Sequence, residues 1–346
     1  MLADEVDYVV GVDTHRDQHV LAVVGASSGA VIAQRSVRSN ARGYAEALRF
    51  TGDHAPGTRI WAVEGAGHYG AGFARYLSSC GETVHEVSRT ARGERRLQGK
   101  DDLLDAIRVA RSALASTART LPRSGERQEA LRLLLLARRS AVDVRRVAIV
   151  QLRSVIVTAP ESLRDELRQL PLGELLRRFR RSSSRTPDEL AVILVLRSLA
   201  RRIEAATEEA AELEREILGH VRALVPELLN EAGVGPIVAA QLIVTWSHRD
   251  RVRNEAAFAR LAGVAPLPAS SGQTIRHRLS RGGDRQLNRA LHTVILHRRH
   301  HDPATRDYIA RRLAEGKSTR DATRILKRYL ARHLYRLMQN ASPAMT

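Results

Sequence analysis

Apolar positions in the first ninety residues come in short runs, and beyond them helical spacing takes over. Residues 6–12 form an apolar run ending at Asp13, residues 19–24 form a second, and residues 14–18 between them are polar. Bounded apolar runs of this length predict buried strands, and residues 31–37 predict a third. Residues 43–50 then read as a short helix, 59–63 as a buried strand ending at Glu64, 69–79 as a helix stopped by Gly81, and 83–87 as a last strand. Strands joined hairpin-fashion and followed by alternating helix and strand predict a mixed α/β sheet. From Asp101 onward the spacing is helical.

The segment 186–226 carries the clearest pattern. Thr186 suits an N-cap, Pro187 the first helical position, and Glu189 the third position of a capping box. Leu196, Leu199, Ile203, Ala206, Ala210, Leu213 and Ile217 follow at alternating steps of three and four, which is a heptad seam. A helix of that length extends about 55 Å at 1.5 Å per residue. Two readings stand: a coiled coil that pairs two protomers, or a long helix packed within a bundle. Ser182, Ser183 and Ser184 among arginines form a linker ahead of it, and after Pro226 Gly- and Pro-punctuated helices lead to a basic tail. The expected organisation is a domain over 1–160, a linker and long helix over 161–226, and a helical domain over 227–346.

Charge changes the picture most. The 346 residues contain 56 Lys plus Arg against 38 Asp plus Glu, a formal net charge of +18. Such an excess calls for a polyanionic partner, because each neutralised phosphate releases condensed counterions. Arginine supplies nearly all of it, the lysines being Lys100, Lys317 and Lys327. Aromatics are 4% of residues, so Arg contacts to backbone and grooves are expected rather than base stacking. No apolar run approaches the roughly 20 residues of a membrane span, and the N-terminus lacks the pattern of a secretory signal. Cys80 alone makes neither an internal disulfide nor a cysteine zinc site. A soluble, cytoplasmic protein is expected.

Acids at strand ends supply the candidate chemistry. Asp13 and Glu64 each close an apolar strand, and Asp102 and Asp105 stand three apart in a helical stretch, on one face. The carboxyl edge of a sheet is where α/β folds gather their sites. Carboxylates that converge repel one another unless a cation holds them, and Mg²⁺ binds carboxylate and phosphate oxygens together. Each acid also has a plainer role: Asp13 as a turn cap, Asp102 and Asp105 as partners of a helix dipole. In the second half, Gly233, Gly235 and Pro236 precede an apolar helix, as a phosphate-binding turn or a tight helix–helix turn. Ser270 and Ser271 stand before Gly272, with Arg276, His277, Arg278 and Arg281 following; a serine so placed is either a nucleophile with cations for its phosphate or part of an ordinary loop.

Taken in order, these motifs resemble the DEDD transposases of the "IS one-ten" insertion-sequence family over nearly the whole chain. Gly11 to His15 looks like the opening strand motif, Val63 and Glu64 the second acid, and Lys100 through Ala106 the lysine-x-Asp-x-x-Asp-Ala motif. Gly233 to Pro236, Leu261 to Pro266, Ser271 with Gly272, and Ser280 to Asp284 follow the order of the second domain. The resemblance implies an RNase-H-like, Holliday-junction-resolvase-like α/β domain with Mg²⁺ on Asp13, Glu64, Asp102 and Asp105. It also implies a covalent serine–DNA intermediate, with Ser271 the nucleophile and Ser270 its fallback, a guide RNA, and dimers or tetramers. Arg16 stands where lysine is common, and Asp284 and Asn288 where Asn and Arg are usual.

Other classes remain beside this one. A junction-resolving nuclease would use metal and water with Ser271 structural. A sugar-kinase- or actin-like ATPase also places an Asp after an apolar first strand, but no second phosphate loop accompanies it and +18 is foreign to it. A non-catalytic nucleic-acid-binding protein would need no acid cluster.

Overall fold

Gly11 decides how the first part of the protein is built. It lies in the middle of strand β1 (Tyr8–Thr14), and a side chain there would collide with the backbone of helix α3 (Asp102–Ala115): a Cβ would sit against the Ala106 carbonyl oxygen and 2.6 Å from the Ala110 nitrogen. The missing side chain lets α3 lie directly on the strand. The computed structural model describes residues 2–87, 102–116, 120–180, 187–268, 277–278 and 282–341.

Two compact units emerge. The first comprises Met1–Gly125 with Trp246–Phe258, the second Glu126–Thr245 with Ala259–Met345. In the first, β2 (Gln18–Gly25), β3 (Val31–Arg38), helix α1 (Ala41–His54), β4 (Arg59–Glu64), helix α2 (Ala71–Ser79) and β5 (Val84–Val87) join β1 and α3. The sheet order is β3-β2-β1-β4-β5; β1, β2 and β3 run antiparallel, while β4 is parallel to both β1 and β5. This is the mixed sheet that the sequence led us to expect, with shifts of a few residues at the ends, and it is compatible with an RNase-H-like domain. Alternation along the strands sorts side chains to the two faces. Val10, Val12, Leu21, Val23, Trp61 and Val63 pack with Ala47 of α1 and Phe73 and Leu77 of α2. Val9, Ile60 and Ala62 face Val109 and Ala110 of α3. The segment Trp246–Phe258 is tied to the same unit: the Ser247 hydroxyl donates to the Ser124 carbonyl at 3.1 Å, and the buried Arg251 guanidinium donates to Glu86 at 3.0 Å.

His19 is an outlier in the sheet's first face. It is fully buried, with Tyr44 and Phe73 at ring-centroid distances of 5.9 and 5.3 Å. Burial lowers its pKa from 6.5 to about 4. The unfolded chain therefore takes up the proton first as pH falls, so stability is expected to drop between about pH 6.5 and 4, by up to about 3 kcal/mol. Denaturant unfolding at neutral pH and midway down that window measures the loss. His19→Leu should flatten the dependence, and an unchanged slope in that variant would refute the assignment.

The second unit is mainly helical: α4 (Glu126–Val157), α5 (Glu161–Leu167), α6 (Leu172–Phe179), α7 (Pro187–Leu224), α8 (Pro236–Trp246, to Thr245), the end of α9 (Glu255–Leu261, whose residues up to Phe258 belong to the first unit), α10 (Arg285–His301), α11 (Pro303–Ala314) and α12 (Thr319–Asn340), with a short ladder of β6 (Leu267–Pro268) and β7 (His277–Arg278). The expected heptad helix is α7. Leu196, Leu199 and Ile203 of its seam are buried with Ala148, Leu152 and Ile156 of α4 and with Leu175 and Phe179 of α6. Arg138 of α4 donates to Glu214 of α7 at 2.7 Å. The seam is thus covered along these positions by the chain's own α4, as in the bundle reading. The compact division falls after Gly125, whereas the sequence expectation ends the first domain at 160; α4 groups with the second unit because its apolar face is buried against α7.

In the second unit Gly283 marks another close approach. A Cβ there would collide with the backbone of Gly263 and lie 2.9 Å from the Ala262 carbonyl carbon. The Asp284 amide donates to the Leu261 carbonyl at 2.7 Å, and the Asn288 amide to that of Ala262 at 2.7 Å. Asp284 then caps α10, accepting from the Gln286 amide at 2.8 Å and the Leu287 amide at 3.1 Å. Gly283 and Asp284 are in this way packed against the distant motif 261–266.

Candidate metal centre

Asp13 is the next-to-last residue of β1, in register with Val20 of β2. The parallel pairing of Val12 with Val63 sets Asp13 beside Glu64 when continued by one residue. Thr14 fastens that edge, its hydroxyl donating to the Glu64 carbonyl at 2.8 Å. By strand alternation Asp13 and Glu64 belong to the α3 face. Because Gly11 admits α3 against β1, the first turn of that helix, with Asp102 and Asp105, is brought to the same edge.

Asp13, His15 and Asp102 form the tightest group. One ligand atom from each lies within 4.8 Å of the others. His15 Nε2 is 3.1 Å from an Asp13 carboxylate oxygen and 3.6 Å from one of Asp102. Divalent ions hold ligands at about 2.0–2.6 Å, so donors this close can share one cation. Asp13 is 8% exposed, and burial pushes its carboxyl above the ordinary range; His15 opposes the rise, and the charges of Asp105 and Asp102 add to it. A buried carboxyl among acids is an arrangement that a cation relieves. Two carboxylates with an imidazole suit Mg²⁺ or Mn²⁺ through oxygen, with the nitrogen favouring the softer ion of the pair.

The other expected residues stand differently. Asp105 is 9% exposed and near enough to raise the Asp13 carboxyl, but it also accepts a hydrogen bond from Arg108 at 2.8 Å, one turn on. Glu64 is 5% exposed and lies on the adjacent strand, outside the three-atom group. Ser270 and Ser271 lie outside the described residues. His15 was missed as a site residue by sequence reasoning, although it ends the first motif. The available signal was its place two residues after Asp13, where the chain leaves the strand.

Comparison with known proteins agrees with this geometry in kind. Residues 10–159 match a model described as "Transposase", that of the DEDD transposases of IS110. Residues 226–310 match the model of the "Transposase IS116/IS110/IS902 family". A protein of Streptomyces coelicolor, "Insertion element IS110 uncharacterized 43.6 kDa protein", is 34% identical over 152 residues, which cover 43% of this chain and 38% of the relative. The chain thus aligns with well under half of that relative's length. Two models of one family, matched in order along the chain, establish that the chain belongs to the IS110 family of transposases.

Proposed function

We propose that the protein is a transposase that cuts and rejoins DNA, using a divalent metal at the β1–β4 edge of an RNase-H-like, resolvase-like domain. The observation that carries this reading is the convergence of Asp13, His15 and Asp102 on one point beside Asp105 and Glu64. Asp13 and Asp102 would hold the metal directly, with Asp105, now paired with Arg108, as a third carboxylate. Glu64 completes a tetrad from the neighbouring strand. A divalent ion bound there supplies Lewis-acid polarisation of a phosphodiester. Mg²⁺ is the expected ion.

The attacking group in this reading is the Ser271 hydroxyl. Its oxygen forms a bond to phosphorus and gives up its proton, while the bond from phosphorus to a deoxyribose oxygen breaks and that oxygen leaves as a hydroxyl. The energy of the broken ester is kept in the serine–DNA ester, so rejoining needs no outside energy source. DNA is the substrate, a guide RNA the expected partner, and the charge of +18 accommodates both. Self-association as a homodimer or tetramer is supported by a stripe on α4: Leu133, Leu136, Val144, Val147, Val150 and Val157 are all exposed. No helix among the described residues is long and apolar enough to cross a membrane, in keeping with a cytoplasmic protein.

A denaturing gel on cleaved substrate tests the nucleophile. The wild-type protein should leave a covalent protein–DNA adduct that Ser271→Ala abolishes. An adduct that survives in Ser271→Ala and disappears in Ser270→Ala transfers the role to Ser270. Cleavage with no adduct in any variant leaves the second reading, a junction-resolving nuclease that hydrolyses with water. That reading is favoured by one observation: Asp13, His15 and Asp102 offer ligand atoms for a metal ion, which could activate water with no serine taking part.

A further inference from the structure

The second unit contains a cavity of about 660 Å³ between α10 and α12, lined by Arg285, His292, Arg299, Arg320, Arg324 and Lys327. Among the described residues no carboxylate lines it. Arg285, Arg299 and Arg320 make no ion pair with a described residue, and of these arginines only Arg324 is paired, with Asp321 at 3.1 Å. Lys327 is 8% exposed, and its ammonium donates to the neutral Asn288 side chain at 2.9 Å. A buried ammonium with only an amide for company is costly unless negative charge comes from elsewhere. The cations also feel one another: burial lowers the pKa of Lys327, with Arg324 adding to the effect, and that of His292 is lowered by burial, Lys327 and Arg299.

We propose that this cavity is a binding site for the phosphodiester backbone of a nucleic acid. The volume far exceeds one phosphate, and no Phe, Tyr or Trp lines it, so it grips backbone rather than a stacked base. Thr319 adds a hydroxyl to the arginine forks. The site rests on the transposase reading only in taking nucleic acid as the polyanion. It deepens that reading in one respect: Gly263 and Gly283, which form part of the wall, bracket in sequence the stretch carrying Ser270 and Ser271. A strand held here is held by the two ends of the serine segment. Asn288, which departs from the family's usual arginine, then has a role of its own: it ties Lys327 to the Ala262 carbonyl and orients the ammonium at the cavity wall.

The test uses the full chain and labelled probes of one sequence as duplex DNA, single-stranded DNA and RNA, with binding followed by anisotropy across a salt series. Arg299→Ala with Arg320→Ala should weaken binding of at least one probe by about tenfold or more. It should also lower the slope of log affinity against log salt by roughly 0.9 per lost contact on duplex, or roughly 0.7 on single strands. The probe with the largest loss identifies DNA or RNA as the source of the phosphate. Arg42→Ala with Arg75→Ala removes equal charge from exposed positions of α1 and α2 and should change far less; an equal loss there would mean general attraction and overturn the site. Unchanged affinity and slope on all three probes in the cavity variant would overturn it too. A footprint of the wild-type protein with an arginine-specific dicarbonyl reagent needs no variant: bound nucleic acid should protect Arg299 and Arg320, and undiminished labelling there rejects the proposal. The salt series is run with a divalent-ion chelator present, which keeps the metal centre empty, so failure of the metal-centre reading and failure of this one give different results.

Discussion

Asp13→Asn is expected to abolish metal-dependent strand cleavage while leaving the protein folded. Asp13 is the member of the cluster that contacts His15, lies closest to Asp102 through that ring and feels the charge of Asp105. An asparagine keeps the shape of the side chain and removes the charge that would draw a cation. The loss in rate should be at least about 10³-fold, equivalent to about 4 kcal/mol of transition-state stabilisation. Stability should move the other way. The wild-type carboxylate is buried and faces other acids, so without divalent metal the variant should be as stable as wild type or more so. Since burial raises this carboxyl in the folded state, the ionised form is what folding disfavours, and the variant's advantage should grow as pH rises above the ordinary carboxylate range. Thermal unfolding with and without Mg²⁺ or Mn²⁺ makes the contrast direct. Saturating metal should stabilise wild type by about 2.7 kcal/mol at a hundredfold excess over its dissociation constant, and the variant hardly at all. Wild-type cleavage by the variant, or equal metal stabilisation, would remove Asp13 from the centre.

Gly11→Ala should have the second large effect, although it adds only a single methyl group. The new Cβ meets backbone, not a flexible side chain: the Ala106 carbonyl and the Ala110 amide of α3 cannot give way without moving the helix. Overpacking of this kind costs about 1–3 kcal/mol, and backbone neighbours place this position at the upper end. The functional loss should exceed the loss in stability, because α3 carries both Asp102 and Asp105. A helix pushed off β1 takes two acids away from Asp13. Gly11→Ala is thus expected to lose metal stabilisation and cleavage at temperatures where circular dichroism still shows it folded. Gly52→Ala is the control: that glycine is exposed in α1 with open space around it, and alanine there should stabilise by about 0.4–1 kcal/mol. If Gly11→Ala retains wild-type metal binding, the close seat of α3 is not what assembles the centre.

The strands and most helices of this protein were legible because their information is local. Residues 6–12 and 59–63 are apolar runs that only a buried strand accommodates, and Pro187 with the spacing from Leu196 to Ile217 can scarcely be anything but a long helix. Asp13 and Glu64 were legible as candidates because each breaks its apolar run where the strand leaves the core. Charge likewise declared a polyanionic partner before any fold was known.

What the sequence could not decide is which surfaces meet. A heptad seam says that a helix wants an apolar partner, not whose; in the folded chain that partner is α4, and the reason is simply that its Ala148, Leu152 and Ile156 face the seam. Spacing placed Asp102 and Asp105 on one face, but only packing revealed that Arg108 claims Asp105 and that His15 stands between Asp13 and Asp102. The two glycines at 11 and 283 read as ordinary small residues until the backbone of another element was found where a side chain would be. The sequence by itself determined the elements and the kind of chemistry, since hydrophobic period and charge are properties of neighbouring residues. Tertiary structure alone decided the constellation, since distances between residues far apart in the chain are set by how closely two backbones can approach.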